Sequence, residues 1–396
     1  MSVRLAPSPD PVAPTERIDG LDVLRGLALF GVLTINIVFE FRVSIFEQFL
    51  PPAHTEPAVD RALKLFLAAA VELKAFAVFS LLFGVGLAIQ FDRLANNSRR
   101  LILLMRRLVV LMAIGAAHIV FVWNGDILVE YAVAGLIVLP FLFGPRWLII
   151  VAASAAMVLY LTMPLLPPSV PFPSDAWILA HIAEAGRVYG GGGLFEVFAF
   201  RIREIPALLP LHLLMLPRTI ALFFFGALAW RSGMLLSEFD NRRLLLGLAM
   251  AGLLLGGALT LAAEGPAIFG WSTLGRLHET VERLGAVTLA VGYAATIIGC
   301  VRFPPWQRML GWAAPIGRMA VTNYLAQSVV FGWIFYGYGL GLFGQLNVTT
   351  AFALGIVAYG IQVAFSYWWL SRYRYGPIEW LWRSLMYGVR QPIGRS

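Results

Sequence analysis

Two apolar runs, residues 75–91 and 108–123, are joined by a stretch that carries Arg93, Arg99, Arg100, Arg106 and Arg107. Each run approaches the ~20 residues that a helix needs to cross about 30 Å of hydrocarbon. Guanidinium groups are costly at membrane depth, and short loops rich in Lys and Arg stay on the cytoplasmic face. The arginine stretch therefore fixes the side of one loop. The sides of the other loops follow from it, and every polar residue acquires a depth.

Similar apolar runs recur along all 396 residues, at roughly 21–40, 72–91, 104–123, 127–144, 147–166, 205–230, 244–264, 284–301, 316–335 and 349–370. Only 13% of residues are charged, about half the share of a soluble domain. The expected fold is all-α: one integral membrane domain over 1–396, a polytopic transmembrane helical bundle of about ten spans. Most of the 30 lysines and arginines then fall on the side of the 92–107 connection. The expected location is the plasma (inner) membrane, multi-pass, with both termini cytoplasmic. A net charge of +8 follows from this loop bias and gives no reason to expect nucleic acid. The single cysteine, Cys300, excludes an intrachain disulfide and a multi-cysteine metal site. Residues 1–20 read as a polar N-terminal segment, 41–65 and 167–203 as external loops, and 377–396 as an amphipathic cytoplasmic tail. Pro206, Pro210 and Pro217 crowd the sixth span and predict a kinked or broken helix.

Ionisable groups inside a bilayer face a cavity or a partner. The candidates are few. Glu72 and Lys74 open the second span, and His118 lies near the outer end of the third. The turn Trp123-Asn124-Gly125-Asp126 leads into the fourth span, followed by Glu130 and Tyr131. Asn323, Tyr324 and Gln327 lie in the ninth, where Asn323 and Gln327, four apart, share a helix face. Asp126 is placed to cap the fourth span. It is equally placed to fix the tautomer of His118, as a general base requires. Arg25 and Arg318, at the inner ends of the first and ninth spans, suit either an anionic group or a positive-inside anchor.

Five segments resemble the YeiB family of bacterial membrane proteins. They are Leu21-Asp22-Val23-Leu24-Arg25-Gly26 with Asn36-Ile37; Lys74-Ala75-Phe76 with Phe79-Ser80-Leu81-Leu82-Phe83-Gly84; Gly115-Ala116-Ala117-His118 with Trp123-Asn124-Gly125-Asp126; Gly317-Arg318 through Asn323-Tyr324-Leu325-Ala326-Gln327; and Gly376-Pro377-Ile378-Glu379-Trp380-Leu381-Trp382-Arg383. The Leu-Asp-x-x-Arg-Gly start is also similar to that of the acyltransferase-3 and heparan-glucosaminide acetyltransferase families. This resemblance implies transfer of an acyl group from cytoplasmic acyl-CoA to an acceptor at or across the membrane. Acyltransferase-3 proteins have a histidine where this chain has Asn36, so a base must be found elsewhere.

The resulting expectation is a membrane-bound acyltransferase with catalytic His118 and Asp126. Arg25, Asn36, Glu72, Lys74, Tyr131, Arg318, Asn323, Tyr324 and Gln327 are the substrate-binding candidates. No metal or bound cofactor is expected; acyl-CoA is a possible donor substrate. The alternative is a transporter or permease for a small amphiphile using the same polar residues. Expected partners are membrane lipids and a small-molecule or lipid-linked substrate, with a homodimer compatible with the sequence.

Overall fold

A computed structural model describes residues 19–50, 56–167, 170–235, 241–269 and 274–394; the N-terminal segment up to residue 18 lies outside it. Among the described residues the chain is an all-α polytopic bundle. Helix α1 (Asp19–Ile35) continues as a π-turn, Asn36–Phe41. Then come α2 (Ala58–Ala70), α3 (Lys74–Arg93), α4 (Arg100–Phe121), α5 (Leu128–Val138) and α6 (Arg146–Thr162). A short 3-10 turn, Leu139–Phe143, extends α5. Helix α7 (Asp175–Gly191) precedes the 38-residue α8 (Leu194–Arg231). Helices α9 (Arg242–Phe269) and α10 (His278–Val301) form an antiparallel pair. The short α11 (Pro304–Leu310) and α12 (Ala314–Arg318) lead to α13 (Ala320–Phe335), α14 (Val348–Arg372) and α15 (Pro377–Tyr387).

Eight helical segments among the described residues are long and apolar enough to cross a bilayer. The two remaining expected spans are short. Leu128–Phe143 and the 16-residue α13 each rise roughly 25 Å at 1.5–2 Å per residue. Side-chain ties define two ends of the bundle. At the arginine end, Arg231 donates to the Leu142 carbonyl, Trp230 Nε1 donates to Asp92 at 2.7 Å and Trp382 Nε1 donates to the Arg107 carbonyl at 2.8 Å. At the opposite, loop end, Asn124 bonds Glu204 and the Gly337 amide donates to Tyr189 O at 2.7 Å.

Three sequence expectations change. The 167–203 region is not a plain loop: it contains α7 and the first turns of α8. The 41–65 region holds a 3-10 turn, Ile45–Phe49, and the start of α2. Helix α8 runs unbroken through Pro206, Pro210 and Pro217. Each proline removes one intrahelical hydrogen bond, and the rest of the ladder carries the 38-residue helix through. C-terminal to the prolines α8 meets α3 backbone to backbone: a Cβ on Gly84 would lie 2.2 Å from Phe223 O, and one on Gly226 2.1 Å from Leu81 O. The chain does break elsewhere, between α2 and α3, where Leu73 takes φ +58°. That sparsely populated positive-φ conformation costs a non-glycine residue about 1–3 kcal/mol.

Candidate active site

The α4–α5 turn is folded around a buried dyad. His118 Nδ1 lies 2.8 Å from Asp126 Oδ2, and both side chains are sealed from solvent, at 1% and 0% exposure. The other carboxylate oxygen, Oδ1, accepts from the Val129 amide at 3.0 Å in the first turn of α5. Asp126 therefore both caps α5 and holds the imidazole; the two readings of the sequence are not alternatives. The close approach depends on Gly115, one turn before His118. A Cβ there would lie 2.7 Å from Asp126 Oδ1 and 2.8 Å from Val129 N. An aspartate on Nδ1 keeps the proton on that nitrogen and leaves Nε2 with its lone pair. Nε2 has no hydrogen-bond partner among the described residues.

Beside the dyad stands Tyr324 of α13, its ring centroid 5.4 Å from that of His118. Its hydroxyl donates to Gly125 O at 3.3 Å and accepts from the Ile127 amide at 3.4 Å. Tyr324 and Ile127 form part of the wall of a 320 Å³ cavity. Leu29, Phe79, Leu82, Phe83, Leu111 and Tyr131 give it an apolar interior, and Arg25, Arg107, Arg318 and Arg383 line its other end. Tyr131 is fixed there by donating to Phe76 O at 3.1 Å and accepting from Ser80 at 3.0 Å. At about 30 Å³ per water the volume holds roughly ten water-sized groups.

The structure sorts the expected site residues. Arg25, Tyr131, Arg318 and Tyr324 meet on this one cavity. Asn323 and Gln327 do not line it. Asn323 Nδ2 donates to Ser366 at 3.0 Å and Gln327 Nε2 to Gln362 at 2.8 Å, tying α13 to α14. Asn36 is buried at the head of the π-turn, away from the cavity wall, with Oδ1 unpartnered among the described residues. Lys74 reaches back to the Ala68 carbonyl at 2.7 Å, capping the end of α2, and neither it nor Glu72 lines the cavity.

Several residues escaped the sequence reading. Arg107 and Arg383 line the cavity, but in sequence they are indistinguishable from other positive-inside charges. Glu379 also lines it, and binds the start of α13: Oε1 accepts from the Val321 and Thr322 amides at 2.8 and 3.0 Å. Burial raises the Glu379 carboxyl above its usual range, against those hydrogen bonds. At the loop end, Glu204 accepts from Asn124 Nδ2 and Tyr189 OH, both at 2.6 Å, and contacts His181 Nε2 at 2.6 Å. Burial, with Glu204 beside it, holds the Tyr189 hydroxyl well above its ordinary pKa, so it stays a donor. The signal for this network was weak because α7 reads as loop.

A polytopic all-α membrane protein with a histidine–carboxylate dyad above a basic-mouthed cavity is the class that fold and site define. Residues 229–389 match a family described as "Protein of unknown function (DUF418)". The chain is 33% identical to the uncharacterized protein YxaH of Bacillus subtilis, over 98% of each chain. It is 29% identical to the uncharacterized protein YeiB of Escherichia coli, over 93% of this chain and 96% of that one. The chain belongs to this YeiB-like DUF418 family.

Proposed function

We propose that the protein is an intramembrane acyltransferase working from the plasma membrane, with the arginine end cytoplasmic. The observation that carries this reading is the continuity of the 320 Å³ cavity, from four arginines to the Tyr324–Ile127 wall that flanks the dyad. A donor such as acyl-CoA is anionic at one end and carries its thioester on a thin arm, which suits a basic mouth over an apolar interior. His118 Nε2 takes the proton of an acceptor hydroxyl or amine as that atom attacks the thioester carbonyl. The carbon–sulfur bond breaks, and the imidazolium returns the proton to the departing thiolate. Asp126 holds the imidazole in the competent tautomer and stabilises the imidazolium. Because His118 is not itself on the cavity wall, reaction requires the Tyr324 side chain to move.

The test is transfer of labelled acyl group from acetyl-CoA to membrane extract by protein in proteoliposomes. Wild type labels an acceptor, and His118→Ala abolishes labelling while the protein stays folded. Equal labelling by His118→Ala would remove the dyad from the mechanism. Solute uptake without labelling would favour the transporter.

A further inference from the structure

Arg107 and Arg383 come from different parts of the chain and meet on one wall of the cavity. Helix α15 brings them together: Trp382 Nε1 donates to Arg107 O at 2.8 Å, and the Arg107 guanidinium lies 4.5 Å over the Trp382 ring. Arg383 lies 4.7 Å over Tyr375, which also lines the cavity. Among the described residues neither arginine forms an ion pair, and the Nε of each is buried with no hydrogen-bond partner. Arg25, paired with Asp22 at 2.7 Å, and Arg383 are both close enough to Arg107 to repel its charge. Among the described residues the one carboxylate on the cavity wall, Glu379, already has both oxygens engaged by the start of α13. Like charges converging on a cavity, with the available carboxylate committed elsewhere, are unfavourable unless an anion joins them.

We infer that Arg107 and Arg383, with Arg25, form a phosphoryl-binding site of which α15 is an integral wall. The ligand group is a phosphate ester or diphosphate. Aromatic planes flank the guanidinium groups and keep them pre-aligned for bidentate contacts. Two sources carry this chemistry, a soluble phosphorylated donor or a phospholipid headgroup. The assignment rests on the acyltransferase reading only for the first source. It also makes the C-terminal helix part of the site rather than a surface anchor.

The test titrates the full-length protein, in nanodiscs of zwitterionic lipid, with CoA, ADP and pantetheine. CoA and ADP are expected to bind, and pantetheine, which lacks phosphate, at least tenfold more weakly. Arg383→Gln and Arg107→Gln should each weaken CoA and ADP at least tenfold, and Arg383→Lys should restore only part of the loss, because it returns the charge without the bidentate fork. An unchanged melting temperature separates a lost site from a lost fold. Equal binding of CoA and pantetheine, indifferent to Arg383→Gln, overturns the phosphoryl site and leaves the acyltransferase reading intact. Arginine-dependent ADP binding without CoA binding keeps the site and removes the thioester donor. Binding of a labelled anionic phospholipid, lost in Arg383→Gln, with no binding of CoA or ADP, assigns the site to a headgroup. No binding of any probe overturns both.

Discussion

At Asp126 a single carboxylate does two jobs with two oxygens, and substitutions separate them. Asp126→Asn can keep the Val129 cap through its carbonyl oxygen, but the amide NH₂ then faces His118 Nδ1. That contact favours the tautomer with the proton on Nε2, which is no longer a base. Transfer should fall by on the order of 10³-fold with little change in melting temperature, the pattern expected of a wrong tautomer. Retention of activity in Asp126→Asn would reduce Asp126 to a cap. Gly115→Ala should do the reverse and act on stability first. Its methyl must displace Asp126 Oδ1 and the Val129 amide, an overpacking cost of about 1–3 kcal/mol that thermal unfolding in detergent would register. The dyad was legible in sequence because His118 and Asp126 flank one short turn. Its neighbours were not. Hydropathy gives the depth of a residue but not the direction in which it points around its helix. Asn323 and Tyr324 are adjacent in sequence, yet one binds α14 and the other lines the cavity.

At the scale of elements, α15 depends on a carboxyl whose ionisation burial opposes. Glu379 has its folded pKa raised above the unfolded value. The docked state therefore gains most when Glu379 is protonated. That gain is fully present below the unfolded carboxylate pKa and is lost as pH rises through the raised one. Hydrogen exchange of residues 377–387 should slow as pH is lowered through the carboxylate range, after correction for intrinsic rates. In Glu379→Gln, which keeps the acceptor oxygen toward Val321 and Thr322 but cannot ionise, that pH dependence should vanish. Its persistence would place the titration on another group. The α3–α8 seam makes a second prediction: Gly84→Leu should prevent assembly, because even a Cβ meets Phe223 backbone atoms at 2.2–2.7 Å. A monodisperse, thermally wild-type-like Gly84→Leu protein would contradict the packing. Sequence identified the amphipathic helix at 377–387 but could not say what its polar residues touch.

For the molecule as a whole, orientation is the property that hydropathy and fold share. On the proposed orientation, with the arginine end inside, exposed Ala176 in α7 is expected outside. Ala176→Cys should react with a membrane-impermeant maleimide on intact cells, with the wild-type chain and its Cys300 as background. Reaction only after permeabilisation would invert the protein. The bundle was readable from apolar run length, since a bilayer enforces that signal directly. The loop-end assembly of α7 and α8 was not, because outside the hydrocarbon that constraint disappears. Of the ten expected spans, the two too short to match a relaxed bilayer are Leu128–Phe143 and α13, and both line the cavity. A helical segment of roughly 25 Å against about 30 Å of hydrocarbon draws the lipid inward at modest cost. On the acyltransferase reading proposed above, a donor gripped at one surface then has less distance to cover to reach an acceptor at the other.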